Sequence, residues 1–271
     1  MHTARTPAVA GMFYPADARE LRAQVRALLA AAEPAAGPAP KAVIAPHAGY
    51  IYSGPVAASI YARLIPARGR IRRVVLLGPA HRVAFDGLAL SSATAFATPL
   101  GEIPLDAAAT AQLLTLPQVR ILDEAHRAEH SLEVQLPFLQ EVLGDFTLIP
   151  LVVGDAAPAE VSEVIEALWG GDETLVVISS DLSHYHDYAT ARRLDAATSR
   201  AIESLRPQDI RYDDACGRNP VNGLLLCAQR HGLHARVLDL RNSGDTASGP
   251  SNSARSGPTA TGQNRTEPRS F

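Results

Sequence analysis

Histidines follow three of the apolar runs in this sequence, at positions where binding residues often lie. The segments VIAPHAGY, VVLLGPAH and VVISSDLSH place His47, His81 and the pair of Asp181 and His184 just beyond runs of branched aliphatic residues. Such runs are typical of buried strands, and open α/β sheets bind their ligands beyond the carboxyl ends of the strands. Because neutral imidazole is a common ligand for iron, copper and zinc, the recurrence predicts one shared pocket and indicates a metal site.

A metal site with two histidines commonly adds one anionic ligand, and the sequence offers two candidates. Asp181 is one candidate. The other is Cys216, which lies in the turn DDACGRNP before a predicted helix, where the helix dipole and Arg218 favour a thiolate. Alternatively, Cys216 is a small buried thiol. Cys227, within the apolar run LLLCA, is interpreted as a core residue.

The segment EAHRAEHSLEVQLPF adds titratable side chains around a predicted helix start at Ser131. His130 directly precedes this helix, so we expect it to point into the pocket as an acid/base group or as a hydrogen-bonding partner of the ligands. His126 is interpreted as a solvated loop residue. The sequence has no Walker loop, GxSxG elbow or HExxH motif, which argues against the enzyme classes that carry them.

Apolar runs alternate with stretches of helical period, and this order predicts an α/β protein with a sheet covered on both faces. The predicted strands, several of which end shortly before a candidate histidine, are Ala42–Ala45, Arg73–Leu77, Gly87–Ser91, Phe146–Val153, Thr174–Ser179 and Ala235–Leu240. The predicted helices are Ala16–Ala32, Gly54–Leu64, Asp106–Leu114, Ser131–Val142, Pro158–Trp169, Asp187–Leu205 and Pro220–His231.

The domain organisation follows from the linkers. We predict a single domain over residues 1–247, because the Pro/Ala/Gly segment Glu33–Pro40 is too short to be an interdomain tether. Residues 248–271 are rich in Ser, Gly, Pro, Thr, Asn and Arg and nearly devoid of aliphatic side chains. Such a segment buries too little apolar surface to offset its ordering entropy, which predicts a disordered tail.

The composition excludes several classes of partner. The chain is 46% hydrophobic and 20% charged with a formal net charge of −3, so no basic surface for nucleic acid is expected. No apolar run approaches the ~18 residues that span a bilayer, and the first residues lack the order of a signal peptide. We therefore expect a cytoplasmic protein without a membrane partner. With only 2 cysteines, neither a disulfide framework nor a zinc ribbon can form.

The candidate residues lie within short segments that are specific in combination. These are Arg5–Asp17 (RTPAVAGMFYPAD), Ala45–Ala58 (APHAGYIYSGPVAA), Leu76–Arg82 (LLGPAHR), Glu129–Leu139 (EHSLEVQLPFL), Ser179–Tyr185 (SSDLSHY), Ala215–Gly217 (ACG) and Arg241–Thr246 (RNSGDT). In this order, spread over most of the chain, they resemble the Memo family, whose prokaryotic members are called AmmeMemoRadiSam system protein B.

The resemblance implies a three-layer α/β/α sandwich with a central mixed sheet, the LigB-like fold of class III extradiol dioxygenases, which hold Fe(II) with two histidines and a glutamate. By resemblance, His47 and His81 take the histidine positions, Cys216 takes the third ligand position, and Asp181 and His184 line the same pocket. A thiolate in place of a carboxylate shifts the preference toward copper, or toward iron of different redox character. It also weakens the case for catechol ring cleavage.

The resemblance further implies a metal-dependent redox enzyme that uses iron or copper, with zinc as a possible ion, and with Asp181, His184 or His130 handling protons. Its substrate, a small molecule or a peptide, is not indicated. The alternative is a non-catalytic metal- or peptide-binding adaptor on the same fold. The family name implies association with a radical-SAM protein. After Thr246 the sequence departs from the family's apolar closing strand, and we hypothesise a replaced or frame-shifted end that leaves a sheet edge unpaired.

Overall fold

The computed structural model describes residues 2–33, 37–242 and 245. Its strands are β1 (Ala4–Arg5), β2 (Ala42–Ala45), β3 (Arg73–Pro79), β4 (Leu88–Leu90), β5 (Ala95–Thr98), β6 (Gly101–Pro104), β7 (Val119–Ile121), β8 (Thr147–Val153) and β9 (Thr174–Ser179). Its α-helices are α1 (Ala18–Ala31), α2 (Tyr50–Tyr61), α3 (Ala107–Leu113), α4 (Asp123–Arg127), α5 (Leu136–Leu143), α6 (Pro158–Ala167), α7 (Tyr188–Glu203) and α8 (Arg218–Arg230).

The main sheet has the strand order β2-β9-β3-β8-β4-β7. Its pairs β2/β9, β9/β3, β3/β8 and β4/β7 are parallel, and only β4/β8 among the described pairs is antiparallel. A smaller sheet joins β1 in parallel to β5, which pairs antiparallel with β6. The carboxyl ends of β2, β9 and β3 therefore lie side by side at one end of the main sheet.

Strand β3 shows how the sheet serves two cores. Val74 and Leu76 pack in the cluster that contains the buried side chains of α1, α2 and α5. Val75 and Leu77 pack instead with those of α6 and α8. Because successive side chains of a strand point to opposite faces, the continuous apolar run of β3 is buried on both sides. The predicted three-layer α/β/α sandwich with a mixed central sheet is thereby confirmed.

Most of the predicted elements are confirmed. Strands Ala42–Ala45 and Thr174–Ser179 have the predicted bounds. The prediction of a strand at Ala235–Leu240 is wrong. This segment forms no strand, because its hydrogen bonds go to helices instead of to a neighbouring strand: Val237 N–H donates to Glu203 of α7, and Asp239 accepts from Ser59 of α2.

The predicted helix start at Ser131 is also wrong. A 3₁₀ turn over Glu133–Gln135 precedes α5, which begins at Leu136. The Ser131 hydroxyl is not a helix cap, since it donates to the carbonyl of Pro79 at the end of β3. Ser131 therefore ties this segment to the strand that carries His81.

None of the helices in the described part of the chain combines the length and apolarity needed to cross a bilayer. The predicted tail, residues 248–271, and the hypothesised change after Thr246 lie outside the described residues. The single domain over residues 1–247 stays a prediction.

Candidate metal centre

Three strands deliver the candidate residues to one place. His47 lies just beyond the end of β2, Asp181 beyond β9 and His81 beyond β3. Since β9 lies between β2 and β3 in the sheet, the loop of Asp181 lies between the loops of the two histidines. Cys216 comes from the turn before α8. The structure therefore brings these side chains close together at this end of the sheet.

Three side chains here each offer one donor atom, and the donors of His47, His81 and Cys216 all lie within 4.8 Å of one another. The Cys216 sulfur is 3.3 Å from His47 Nε2. The rings of His47 and His81 meet edge to face with centroids 5.1 Å apart. His47 is fully buried, whereas the side chain of His81 is 27% exposed. The structure thus brings together the three residues that the resemblance assigns as ligands.

The cysteine is held by backbone contacts with the loop after β9. Asp181 N–H points to the Cys216 sulfur at 3.3 Å, and Cys216 N–H donates to the Asp181 carbonyl at 3.2 Å. Gly217 N–H donates to the Ser180 hydroxyl. A Cβ at Gly217 would lie 2.6 Å from Ser180 Cβ, so only glycine allows this approach. The start of α8 is therefore locked to the end of β9.

His47 is held by two hydrogen bonds. Its backbone N–H donates to Asp181 Oδ1 at 2.8 Å, and its Nδ1 lies 2.8 Å from the Ser179 hydroxyl. Burial lowers the pKa of His47 well below its ordinary value, and the nearby imidazoles of His81 and His130 lower it further. His47 is therefore a neutral imidazole, the form that binds metals.

His81 is held by a carboxylate. Its backbone N–H donates to Glu129 Oε2 at 2.7 Å, and its Nδ1 lies 2.9 Å from Glu129 Oε1. The same carboxylate accepts the backbone N–H groups of His130 and Ser131. Burial alone would raise the pKa of Glu129, but hydrogen bonds from His81 and Ser131 outweigh it and bring the pKa to about 2. Glu129 is thus an anion beside His81.

Burial raises the pKa of the Cys216 thiol far above its ordinary value, and the Asp181 carboxylate adds to this shift. Burial likewise raises the pKa of Asp181. A positive charge at the centre would oppose both effects, because it favours the thiolate and the carboxylate.

The remaining candidates line the same pocket. The His130 ring stacks on that of His81 with centroids 4.7 Å apart. His130 Nδ1 is buried and makes no hydrogen bond, although it lies 3.4 Å from Glu129 Oε1. His184 Nδ1 bonds the Leu182 carbonyl, and its Nε2 lies 3.9 Å from Asp181 Oδ2. The two histidines therefore border the candidate centre, His130 beside His81 and His184 beside Asp181.

The sequence interpretation missed the supports of the centre. The Arg5 guanidinium pairs with Glu133 and also donates to the carbonyls of His126 and Glu129. His126 was expected in a solvated loop, which is wrong: it is 2% exposed, because its Nε2 bonds a carbonyl of β4 and its ring packs edge-on against Phe96. The signal available in the sequence was that Arg5 and Glu133 both carry charged side chains within the family-like segments.

The fold and the pocket define an α/β sandwich protein with a candidate metal centre at the carboxyl ends of its strands. The family model described as Memo-like protein matches residues 5–257 of this chain. Relatives named MEMO1 family protein include one from Aquifex aeolicus, 38% identical over 255 residues that cover 89% of this chain and 93% of the relative. Another, from Ignicoccus hospitalis, is 35% identical over 268 residues covering 90% and 93%. The chain belongs to the Memo family.

Proposed function

We propose that the protein binds a transition-metal ion, iron or copper, through His47, His81 and Cys216 and uses it in redox chemistry. The observation that carries this proposal is the convergence of one donor atom from each residue within 4.8 Å. Two imidazoles and a thiolate are soft to borderline ligands that suit copper and iron. Zinc accepts the same donors and is the redox-inactive possibility.

The residues fit such an ion. His47 is neutral, so a nitrogen lone pair is available. The thiol of Cys216 resists ionisation because of burial and the neighbouring Asp181 carboxylate, and a coordinated cation removes this resistance. Each histidine ring also has a hydrogen-bonding partner at Nδ1, which is Ser179 for His47 and Glu129 for His81. This arrangement, which leaves Nε2 for the ion, is typical of metal-binding histidines.

Bound iron or copper would supply one-electron chemistry, and the chain's own residues would handle protons. Burial raises the pKa of Asp181, so this carboxyl group is easier to protonate than an exposed aspartic acid. His184 Nε2 is 3.9 Å from Asp181 Oδ2, and the His184 side chain is 26% exposed, so it links the buried carboxyl group to solvent. His130 is stacked on His81 and is the other candidate for this role.

Metal analysis of protein purified without oxygen tests the proposal. We expect a stoichiometric amount of iron or copper in the wild type and none in His81→Ala. The matched control is Cys227→Ala, which removes the other thiol, far from the centre in the core between α6 and α8. Equal metal content in His81→Ala and wild type would contradict the ligand set. Oxygen consumption by the metal-loaded wild type, with and without catechols, then tests for redox turnover.

A non-catalytic adaptor is the second candidate function, and one feature favours it. A cavity of about 390 Å³ lies beside the edge strand β2 and is lined by residues of β2, of α8 and of the segment 233–240. Its lining includes the apolar side chains of Ile44, Ile60 and Leu225. A peptide bound there with metal present but no turnover would favour the adaptor. Association with a radical-SAM protein, which the family resemblance implies, is a proposal that co-purification tests.

A further inference from the structure

We propose that Glu129 and Ser179 are positioning residues that hold His81 and His47 in the tautomer with the proton on Nδ1. In this tautomer the Nε2 atom of each ring keeps its lone pair. The proposal rests on the proposed metal site for its consequence, metal affinity. The tautomers themselves are set by hydrogen bonds that exist without an ion.

The tautomer of His81 follows from the donors around Glu129. Three backbone N–H groups, those of His81, His130 and Ser131, donate to the carboxylate at 2.7 to 2.9 Å. A carboxylate that receives these donors acts only as an acceptor. The His81 Nδ1 atom, 2.9 Å from Oε1, must therefore be the donor and carry the proton.

The tautomer of His47 follows from the single proton of a hydroxyl group. Ser179 Oγ lies 2.6 Å from the Ser131 carbonyl, which can only accept, so the hydroxyl proton points there. Ser179 Oγ then accepts from the side-chain amide of Gln135 at 2.8 Å and from His47 Nδ1 at 2.8 Å. His47 Nδ1 therefore carries the proton, and its Nε2 faces the Cys216 sulfur at 3.3 Å.

One short segment controls both histidines. Glu129 orients His81 directly, while the carbonyl of Ser131 and the amide of Gln135 orient Ser179 and, through it, His47. The segment is anchored in turn, since Arg5 donates to the Glu129 carbonyl at 2.6 Å. A neutral imidazole free in water favours the opposite tautomer, with its proton on Nε2. The protein therefore prepares both rings before an ion arrives, which lowers the cost of binding.

Glu129 is not itself assigned as a ligand. His81, Glu129 and His130 also offer donor atoms within 4.8 Å of one another. However, Glu129 Oε1 already receives the N–H groups of His130 and Ser131 and the Nδ1 proton of His81. A metal ion there would displace these donors. The contacts of Glu129 are those of a residue that acts through His81.

Nuclear magnetic resonance of the metal-free protein tests the proposal. Long-range proton–nitrogen correlation spectra, recorded at alkaline pH where imidazoles are neutral, show which ring nitrogen carries the proton. We expect a proton on Nδ1 for both His47 and His81 in the wild type. In Glu129→Ala only His81 should lose this preference, and in Ser179→Ala only His47 should lose it. Each variant is thus the control for the other, and Glu141→Ala removes a remote carboxylate.

Metal titration provides the second readout. Each positioning variant should bind iron or copper about 10- to 100-fold more weakly than the wild type, and Glu141→Ala should bind equally well. A proton on Nε2 of either ring in the wild type would overturn the proposal even if no variant folds. Altered tautomers with unchanged affinity would overturn the link to metal binding. A wild type that binds no metal would refute the proposed function, while the spectra still decide the tautomers.

Discussion

Replacing Arg5 with methionine should strongly destabilise the protein, although this residue lies in a two-residue strand near the start of the chain. The Arg5 side chain is 8% exposed, and its partner Glu133 is 0% exposed. Arg5 also donates to the carbonyls of His126 and Glu129. Methionine preserves much of the side chain's length but removes every donor, so the variant isolates the polar contacts.

The magnitude follows from what Glu133 retains. Breaking a buried ion pair by removing one partner costs about 3–5 kcal/mol, because the other charge stays buried. Glu133 keeps hydrogen bonds from the backbone of Ala8 and Val9 and from the Tyr14 hydroxyl, so we expect about 3 kcal/mol, the low end of that range. Against a total stability of about 5–15 kcal/mol, this loss is large.

Urea unfolding of the metal-free protein, followed by circular dichroism, measures the change. Arg26→Met is the matched control, because Arg26 also pairs with a glutamate but is 67% exposed, and we expect at most about 1 kcal/mol there. The double variant Arg5→Met/Glu133→Gln should be more stable than Arg5→Met alone, because a neutral amide replaces the unpaired buried carboxylate of Glu133. A cost for Arg5→Met no greater than that of the control would refute the reasoning.

Three further outcomes are expected. Cys227→Ala should keep the wild-type metal content and lower the free energy of unfolding by on the order of 1 kcal/mol, since this buried thiol packs in the second core and lies beside the Ser162 hydroxyl. Burial lowers the pKa of His126 from 6.5 to about 4, so the unfolded chain binds the proton first as the pH falls. The free energy of unfolding should therefore fall by on the order of 3 kcal/mol as the pH is lowered from 6.5 to about 4. Urea unfolding at several pH values should show a smaller fall for His126→Gln. Finally, protein loaded with Fe(II) should not cleave catechol rings at an appreciable rate, because the proposed ligand set has Cys216 in place of a carboxylate.

Each of these expectations has a contrary outcome. Loss of metal from Cys227→Ala would place that thiol in the centre. An unchanged acid dependence in His126→Gln would mean that His126 is not buried in its neutral form. Robust formation of ring-cleavage product by the wild type would contradict the last expectation, and activity confined to Cys216→Glu would support it.

The sequence predicts the central strands and the placement of the histidines, because long apolar runs mark buried parallel strands and their carboxyl ends must meet. It does not predict β1, β5 and β6. These strands have two to four residues each, and β1 and β5 are joined by pairing between distant residues such as Ala4 and Ala95. Pairing of this kind leaves no local periodicity to read.

The supports of the centre are hidden from the sequence for a related reason. Glu129 and Ser179 have residue types that occur anywhere on a surface, and their roles depend on hydrogen bonds across many intervening residues. Ala235–Leu240 shows the converse, since its alternating pattern is typical of a strand but its hydrogen bonds go to helix side chains. Tertiary contacts override the local pattern in each case.

The order in which the centre can form follows from the separation of its parts along the chain. His47 and Cys216 are 169 positions apart, and Arg5 and Glu133 are 128 apart. Closing such long loops costs entropy before any contact repays it, and contacts of this range slow folding. During synthesis His47 leaves the ribosome long before Cys216 does. The proposed donor set is therefore complete only in the last stage of folding.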